Sequence, residues 1–433
     1  VLKKRREIVS VVTLGCSKNT VDSERLLKQL SANDFKIKED TFNADTVIIN
    51  TCGFIQDAKE ESINAILSAV ELKKQGKVKK VIVTGCLAER YLKELKAEIP
   101  EADAFFGTEK YKDILKTAGG ELKKELLGER IITTKGHSAY LKISEGCNHS
   151  CSFCAIPLIR GGHVTRPVKQ LVKEAEFLAA NKTKELVLIA QDTTSYGIDL
   201  YGRRNLADLL NSLSRIDGIE WIRLMYAYPN NFPDDVMDVI AENPKILNYL
   251  DIPLQHISDR VLKSMRRGIT GKAIRKLLDK IRNRIDNVII RTTFITGYPN
   301  ETKEDFEELC RFIEEEKFER AGVFTFSQEE NTSSYILGDP VPEDEKADRK
   351  NILMEIQKDI SLEKNKNLIN KELKILIERK EGEFYVGRSY RDAPEVDGEV
   401  LVPIDNGVLR LGNFYNVVVN DYDEYDLYGF LRR

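Results

Sequence analysis

Apolar residues fall along the chain in short runs separated by stretches whose apolar positions recur at helical spacing. The first runs lie at 8–14, 47–50 and 81–84, with helix-like stretches such as 23–30 and 58–73 between them. Short apolar runs alternating with amphipathic helices predict a parallel sheet, because a helix carries the chain back to start the next strand. The same alternation resumes with runs at 140–143, 185–190, 221–226, 249–254, 288–294 and 322–326. Six such units in a row predict a partial TIM-type (β/α)6 barrel. One of its helices opens on Thr302-Lys-Glu-Asp305, a capping box ahead of EDFEELCRFIEEE. A charged helical connector follows over 342–370, after which the pattern shifts to short alternating strands at 373–378, 383–390, 398–404, 414–420 and 425–431, with a turn at Asp405-Asn406-Gly407. That predicts a small antiparallel β-barrel. The expected domains are 1–136 (an open parallel α/β sheet), 137–368 (the partial barrel) and 369–433 (the small β-barrel).

At 433 residues the chain exceeds what one core organises, and its 42% hydrophobic and 32% charged content belongs to a globular protein without a membrane span. The start, VLKKRREIVSVVTLGC, is basic and then apolar like a leader, but it runs into polar SKNTVDSE with no small-residue cleavage site. It reads as a first strand, and the expected location is the cytoplasm. A net charge of −3 argues against broad binding to nucleic-acid backbone, though not against a local basic groove. From residue 381 to 430, 3 Lys and Arg stand against 11 Asp and Glu, a local net charge of −8. Such a surface repels RNA and attracts a basic protein; the plainer reading is that it keeps a small barrel soluble.

Seven cysteines in a chain without a secretory pattern point to metal or redox work. Cys147, Cys151 and Cys154 form CxxxCxxC just after the first barrel strand. Three thiolates on one short loop can ligate three irons of a 4Fe-4S cluster, leaving the fourth iron open to an external ligand. The alternatives are a zinc site completed by His149, for which no second ligand pair is present, or three unrelated thiols. Cys16 (VVTLGC), Cys52 (VIINTC) and Cys86 (VIVTGC) each lie just past an expected parallel strand. Strand C-termini share one sheet edge, so these three could converge on a second cluster; the bland alternative is three buried small residues. Cys310 sits alone on an amphipathic helix and reads as core. Polar residues at the barrel's strand ends are candidates for cofactor contacts: Gln191, Asp192, Arg223, Gln255 with His256, and Arg291 with Gly297-Tyr298-Pro299. Arg160 with Gly161-Gly162 follows the cysteine loop and could equally cap a turn.

The two cysteine triads, the barrel and the terminal β-barrel together resemble the radical S-adenosylmethionine (SAM) methylthiotransferase family over essentially the whole chain. LGCSKN, NTCGFI, SEGCNHSCSFCAIPLIRG, QDTTSYG, DIPLQH, GRSYRDAPEVDG and DEYDLYG are similar to its RimO branch. The resemblance implies methylthiolation of the β-carbon of an aspartate in the small-subunit ribosomal protein S-twelve, with two 4Fe-4S clusters and SAM as cofactors. It implies that the Cys147/Cys151/Cys154 cluster cleaves SAM reductively to generate a 5′-deoxyadenosyl radical, that the Cys16/Cys52/Cys86 cluster delivers the sulfur as methylsulfide, and that a second SAM supplies the methyl group. It further implies an electron donor such as flavodoxin or ferredoxin, a sulfur donor, and a terminal module like a TRAM domain. The sister branch, which modifies isopentenyladenosine in tRNA, is the alternative, followed by a non-catalytic two-cluster electron carrier. A monomer suffices for all of this.

Overall fold

The computed structural model describes residues 6–126, 128–134 and 136–432. The basic residues 1–5, weighed above as part of a leader, lie outside the described residues. The chain forms two compact units: Val1–Thr134 with Tyr140–His149 and Ala155–Val164, and Lys135–Ala139 with Ser150–Cys154 and Thr165–Arg433.

The first unit carries a five-stranded, all-parallel sheet in the order Lys36–Ile37, Ile8–Thr13, Thr46–Thr51, Lys80–Gly85, Ala104–Phe105. The three expected runs are its centre. Both edges are two-residue strands too short to show in the sequence, and short edges discourage pairing with other chains. Successive residues of a strand face opposite sides, which is why VII at 47–49 is continuously apolar. Ile48 packs with Val9, Leu26, Leu30 and Ile82 on one face, while Val47 and Ile49 pack with Ile66, Val70, Val81 and Val83 on the other.

A six-stranded open sheet keeps sequence order through Ser138–Lys142, Glu185–Ile189, Trp221–Leu224, Ile246–Asp251, Ile289–Thr296 and Arg320–Thr325. The capping box is present: Thr302 Oγ1 accepts from the Asp305 N–H, and Asp305 Oδ2 accepts from the Thr302 N–H at 2.8 Å. The connector is not a free linker. Its helix Glu343–Lys366 buries Lys346, Leu353, Gln357 and Ile360, and Gln357 Nε2 donates to Phe318 O at 3.0 Å.

The small barrel closes in the order Glu372–Glu381, Phe384–Arg388, Val400–Pro403, Leu427–Leu431, Phe414–Tyr422. The expected all-antiparallel arrangement is corrected at one seam, where Val400 and Leu401 pair with Leu427 and Tyr428 in parallel. Five strands cannot alternate direction all the way round a closed ring, so one parallel pair is unavoidable.

This barrel is tied to the larger one by buried ion pairs. Arg223 donates from Nε to Glu185 Oε1 at 2.8 Å and from Nη1 to Tyr390 O at 2.8 Å. Arg388 reaches Glu185 Oε2 at 2.6 Å and also holds Glu378. Arg291 Nη1 donates to Asp251 at 2.9 Å, its Nε stands 3.5 Å from Asp397, and Arg320 pairs with Asp392 at 2.6 Å. Burial alone would raise the pKa of Glu378, but His137 and Arg388 outweigh it and bring it from 4.5 down to about 2. A carboxyl with a depressed folded-state pKa adds stability above its unfolded pKa and loses it as pH falls through the folded value. Between about pH 4.5 and pH 2 the protein is therefore expected to lose about 3 kcal/mol through Glu378. Thermal midpoints measured across that window should fall steeply in the parent and more shallowly in E378Q.

Candidate metal centres and cofactor site

Three adjacent strands bring Cys16, Cys52 and Cys86 to one edge. Ile8–Thr13, Thr46–Thr51 and Lys80–Gly85 are paired in register at their ends, Thr13 opposite Asn50 and Thr51 opposite Gly85. Neighbouring strands lie about 4.8 Å apart, so thiols leaving three such ends lie within reach of a common metal centre. Cys16 is exposed at the start of the helix Ser17–Ala32, Cys52 is buried in the loop after its strand, and Cys86 is buried at the start of the helix Cys86–Arg90. Gly15 has φ +86° and faces Cys52 so closely that a Cβ there would come within 2.8 Å of the Cys52 sulfur. Gly85, at φ +100°, would put a Cβ 2.6 Å from Thr51 O. The turns into Cys16 and Cys86 thus need glycine for both conformation and room.

Burial raises the Cys52 pKa, with the nearby Cys16 thiol adding to the effect. Burial pushes the Cys86 thiol up to about 12; Arg160 opposes this, while Cys16 and Cys52 reinforce it. Cys16 thus acts on Cys52, and both act on Cys86, which fits a shared site. Thiols that resist ionisation alone are deprotonated by a bound metal, whose charge then replaces the missing countercharge.

Around this triad lies a polar layer that sequence reasoning missed. Asn19 Nδ2 donates to Leu14 O at 2.8 Å and Thr51 O at 3.1 Å, joining the loops that carry Cys16 and Cys52. Asn50 Nδ2 donates to Asn19 O at 3.0 Å and to Ser23 Oγ at 2.9 Å. Arg160 is 2% exposed at its side chain; Nη1 donates to Asp22 Oδ2 at 2.8 Å and Glu145 Oε2 at 3.2 Å, and Nη2 to Asn19 Oδ1 and to Cys86 Sγ at 3.3 Å. Lys142 holds Asp22, Glu145 and Glu109. Asp22, Glu109 and Glu145 could group around a cation, but Lys142 already supplies the positive charge there. The available signal was Asn19, Asp22 and Ser23, a polar set at i, i+3 and i+4 that reads as a solvated helix face.

In the CxxxCxxC loop, the Cys147 N–H donates to Gly161 O at 3.1 Å, and a Cβ on Gly146 (φ +74°) would strike Gly161 O at 2.6 Å. Gly161-Gly162 therefore shapes the entry to the loop, as the turn reading allowed. His149, a half-buried loop residue, presents its backbone N–H to Cys147 Sγ at 3.5 Å. In the second unit, Cys151 Sγ accepts from Arg267 Nη1 at 3.3 Å and lies 3.8 Å from Tyr228 OH, with the Arg267 guanidinium 4.4 Å over the Tyr228 ring. Phe153 packs with Val261, Met265, Tyr298 and Phe326, and Ser152 Oγ hydrogen-bonds Tyr298 OH at 2.9 Å. The aromatic before the last cysteine is thus an anchor for the loop. Three sulfurs on eight residues, with cationic and hydroxyl donors beside one of them, suit a thiolate-held cluster.

The strand-end candidates divide. Arg223 and Arg291 hold protein partners: their guanidinium groups pair with Glu185, Asp251 and Asp397 and reach the backbone of the small barrel, because a buried arginine requires its charge matched. Asp192 is buried and caps its own loop, accepting from Thr194 N–H at 2.8 Å and from Ser195 Oγ. Gln191 is half-buried beside it. Gln255 adopts φ +74°, joins the sheet edge through Thr293 O and the Ile295 N–H at 2.8 Å each, and buries Oε1 with no hydrogen-bond partner among the described residues. Thr296 Oγ1, at the end of Ile289–Thr296, is likewise buried without one. Two orphaned polar atoms at strand ends fit a polar ligand such as SAM. His256 is fully buried; its Nδ1 accepts from the Ser258 N–H at 3.0 Å and burial lowers its pKa to about 3, so the ring is neutral. Cys310 is half-buried rather than core, its pKa raised to about 11 by burial and Glu314.

Among the described residues, no helix is long and apolar enough to cross a membrane. Residues 8–107 match the Uncharacterized protein family UPF0004, 141–313 the Radical SAM superfamily and 369–431 the TRAM domain. The chain is 53% identical to ribosomal protein uS12 methylthiotransferase RimO of Christiangramia forsetii, over 99% of this chain and 94% of that one. It is 52% identical to the protein of the same name from Flavobacterium johnsoniae, over 99% of this chain and 98% of the relative. Among solved structures it shares the fold of the radical S-adenosylmethionine methyltransferase TsrM from Kitasatospora setae, with cobalamin and a [4Fe-4S] cluster bound. That match has a TM-score of 0.56 at 12% identity and covers 76% of this chain and 77% of that one.

Proposed function

Since the chain belongs to the ribosomal protein uS12 methylthiotransferase family, we propose that it methylthiolates the β-carbon of an aspartate in the small-subunit protein uS12, with Cys147, Cys151 and Cys154 holding one 4Fe-4S cluster and Cys16, Cys52 and Cys86 the other. The observation that carries this reading is the convergence of three thiols, and among the described residues no fourth, at one edge of the N-terminal sheet. When bound, the clusters and SAM supply one-electron cleavage, a radical able to remove hydrogen from an unactivated carbon, and a carrier for the transferred sulfur.

The chain's own residues supply position. Arg267 and Tyr228 steady the Cys151 sulfur, Phe153 and Tyr298 fix the loop, and Gln255 Oε1 and Thr296 Oγ1 offer partners for the polar groups of SAM alongside Gln191 and Asp192. Arg223 and Arg291 serve the joint between the two barrels. The functional division we assign is 1–136 for the sulfur-delivering cluster, 137–368 for radical generation and 369–433 for substrate recognition. A cytoplasmic monomer, reduced by a flavodoxin or ferredoxin and resupplied by a sulfur donor, completes the proposal.

Glu381, Glu383, Glu395, Asp405 and Asp421 are exposed on the terminal barrel. Part of the −8 local charge is spent internally, in Asp392 and Asp397 against Arg320 and Arg291, so substrate attraction falls to the exposed acids. Replacing Glu383, Asp405 and Asp421 by Lys is expected to lower kcat/KM for the basic ribosomal protein roughly tenfold at low salt, with little change in kcat. Offering small ribosomal subunits and bulk tRNA in parallel tests the substrate: methylthiolation of tRNA alone would overturn it.

A further inference from the structure

We propose that Arg160 is a positioning residue of the N-terminal metal centre, donating a hydrogen bond to the ligating sulfur of Cys86 and bracing the loops of Cys16 and Cys52 through Asn19, so that it favours the reduced form of the cluster held there. The inference rests on the reading of those three cysteines as cluster ligands.

The guanidinium divides its donors. Nη1 is matched by carboxylates, Asp22 at 2.8 Å and Glu145 at 3.2 Å, while Nη2 is turned to Cys86 Sγ at 3.3 Å and to Asn19 Oδ1. Asn19 spends both remaining donors on backbone carbonyls two residues before Cys16 and one before Cys52. One side chain thus touches one ligand directly and, through a single amide, the loops of the other two. Lysine could supply the charge but not the planar fork that serves carboxylate and sulfur together. Hydrogen bonds to cluster sulfurs and nearby positive charge ease the addition of an electron.

Arg160 also comes from a telling place in the chain. It ends the short helix Ile156–Arg160 that follows the CxxxCxxC loop, and that segment packs Ala155 and Ile159 against Cys86. The segment leaving one cysteine motif therefore supplies the donor to a cysteine of the other. Asp22 and Lys142 make the placement rigid, since Asp22 is shared between Lys142 and Arg160.

The test uses the full chain with Cys147, Cys151 and Cys154 replaced by Ala, so that only the N-terminal centre loads. After anaerobic reconstitution, iron is counted, the midpoint potential is taken by titration followed by electron paramagnetic resonance, and Fe–S stretching is read by resonance Raman. The expected result is about four irons per chain in the Arg160 parent. In R160Q the reduced form should be disfavoured about tenfold or more, a drop of ~59 mV for one electron, with a smaller drop in R160K and a shifted Fe–S stretch in both. A guanidinium retained only for packing would leave potential and stretch unmoved in both variants, and that result overturns the inference. Should R160Q not fold, R160K decides alone by the same criterion. If the Arg160 parent takes up no iron, the cluster reading itself falls, an outcome distinct from an unmoved potential.

Discussion

Cys52→Ala is expected to abolish methylthiolation, by at least about a thousandfold, while leaving reductive cleavage of SAM in place. The reason lies in the division of labour between the triads. Cys52 is buried beside Gly15 and is held by Ser62, whose Oγ accepts from the Cys52 N–H and donates to the Cys52 carbonyl, each at 2.9 Å. Those bonds are to backbone and survive the substitution, as does the sheet core of Val47, Ile49, Val81 and Val83. What is lost is one of three thiolates, and two cannot hold a cubane cluster in an accessible site. Iron should drop from about eight to about four per chain, with 5′-deoxyadenosine still formed and no sulfur added to the substrate.

Cys151→Ala should remove both activities. Its sulfur is the acceptor for Arg267 and the neighbour of Tyr228, and on the proposed assignment its loss takes away a ligand of the centre at which SAM is cleaved. The loop itself should stay in place, because Ser152 is tied to Tyr298 OH at 2.9 Å, to the Ser334 N–H at 2.8 Å and to Met265 O at 3.0 Å. Iron again falls to about four, but 5′-deoxyadenosine and product both drop to background. The pair of variants separates the triads: one keeps deoxyadenosine and the other does not. A double variant should be no worse than C151A, since steps in series do not add.

Apart from the two-residue edges of the first, the strands that build both sheets were legible because their faces are both buried, giving continuous runs such as 47–50 and 185–190. The Thr302 capping box was legible because its signal is local, four residues in a row. The positions of the cysteines were legible for a related reason: spacing puts Cys147, Cys151 and Cys154 on one loop, and the strand ends put Cys16, Cys52 and Cys86 at one sheet edge. The ion-pair partners of Arg223 and Arg291 were not legible because they are distant in sequence. A charge within a strand must meet a countercharge, but the sequence does not say whether that is a ligand or, as for Arg223, a carbonyl 167 residues away. Asn19 and Asp22 escaped for the same reason, since a buried polar helix face looks like a solvated one until the opposing residues are known, and Arg160 was singled out without its partners Asp22 and Cys86. The parallel seam of the small barrel depended on strand order round the ring, which local alternation does not encode.

The most direct test of the two-centre account is anaerobic. The full chain is reconstituted with iron and sulfide, iron is counted, and the protein is incubated with dithionite, SAM and the basic ribosomal protein, whose mass is then measured together with 5′-deoxyadenosine. The account predicts about eight irons per chain and a gain of about 46 daltons on one aspartate of the substrate, a methylthio group replacing hydrogen. About four irons with deoxyadenosine formed and the substrate mass unchanged would contradict it, because the triad of Cys16, Cys52 and Cys86 would then hold no cluster and deliver no sulfur.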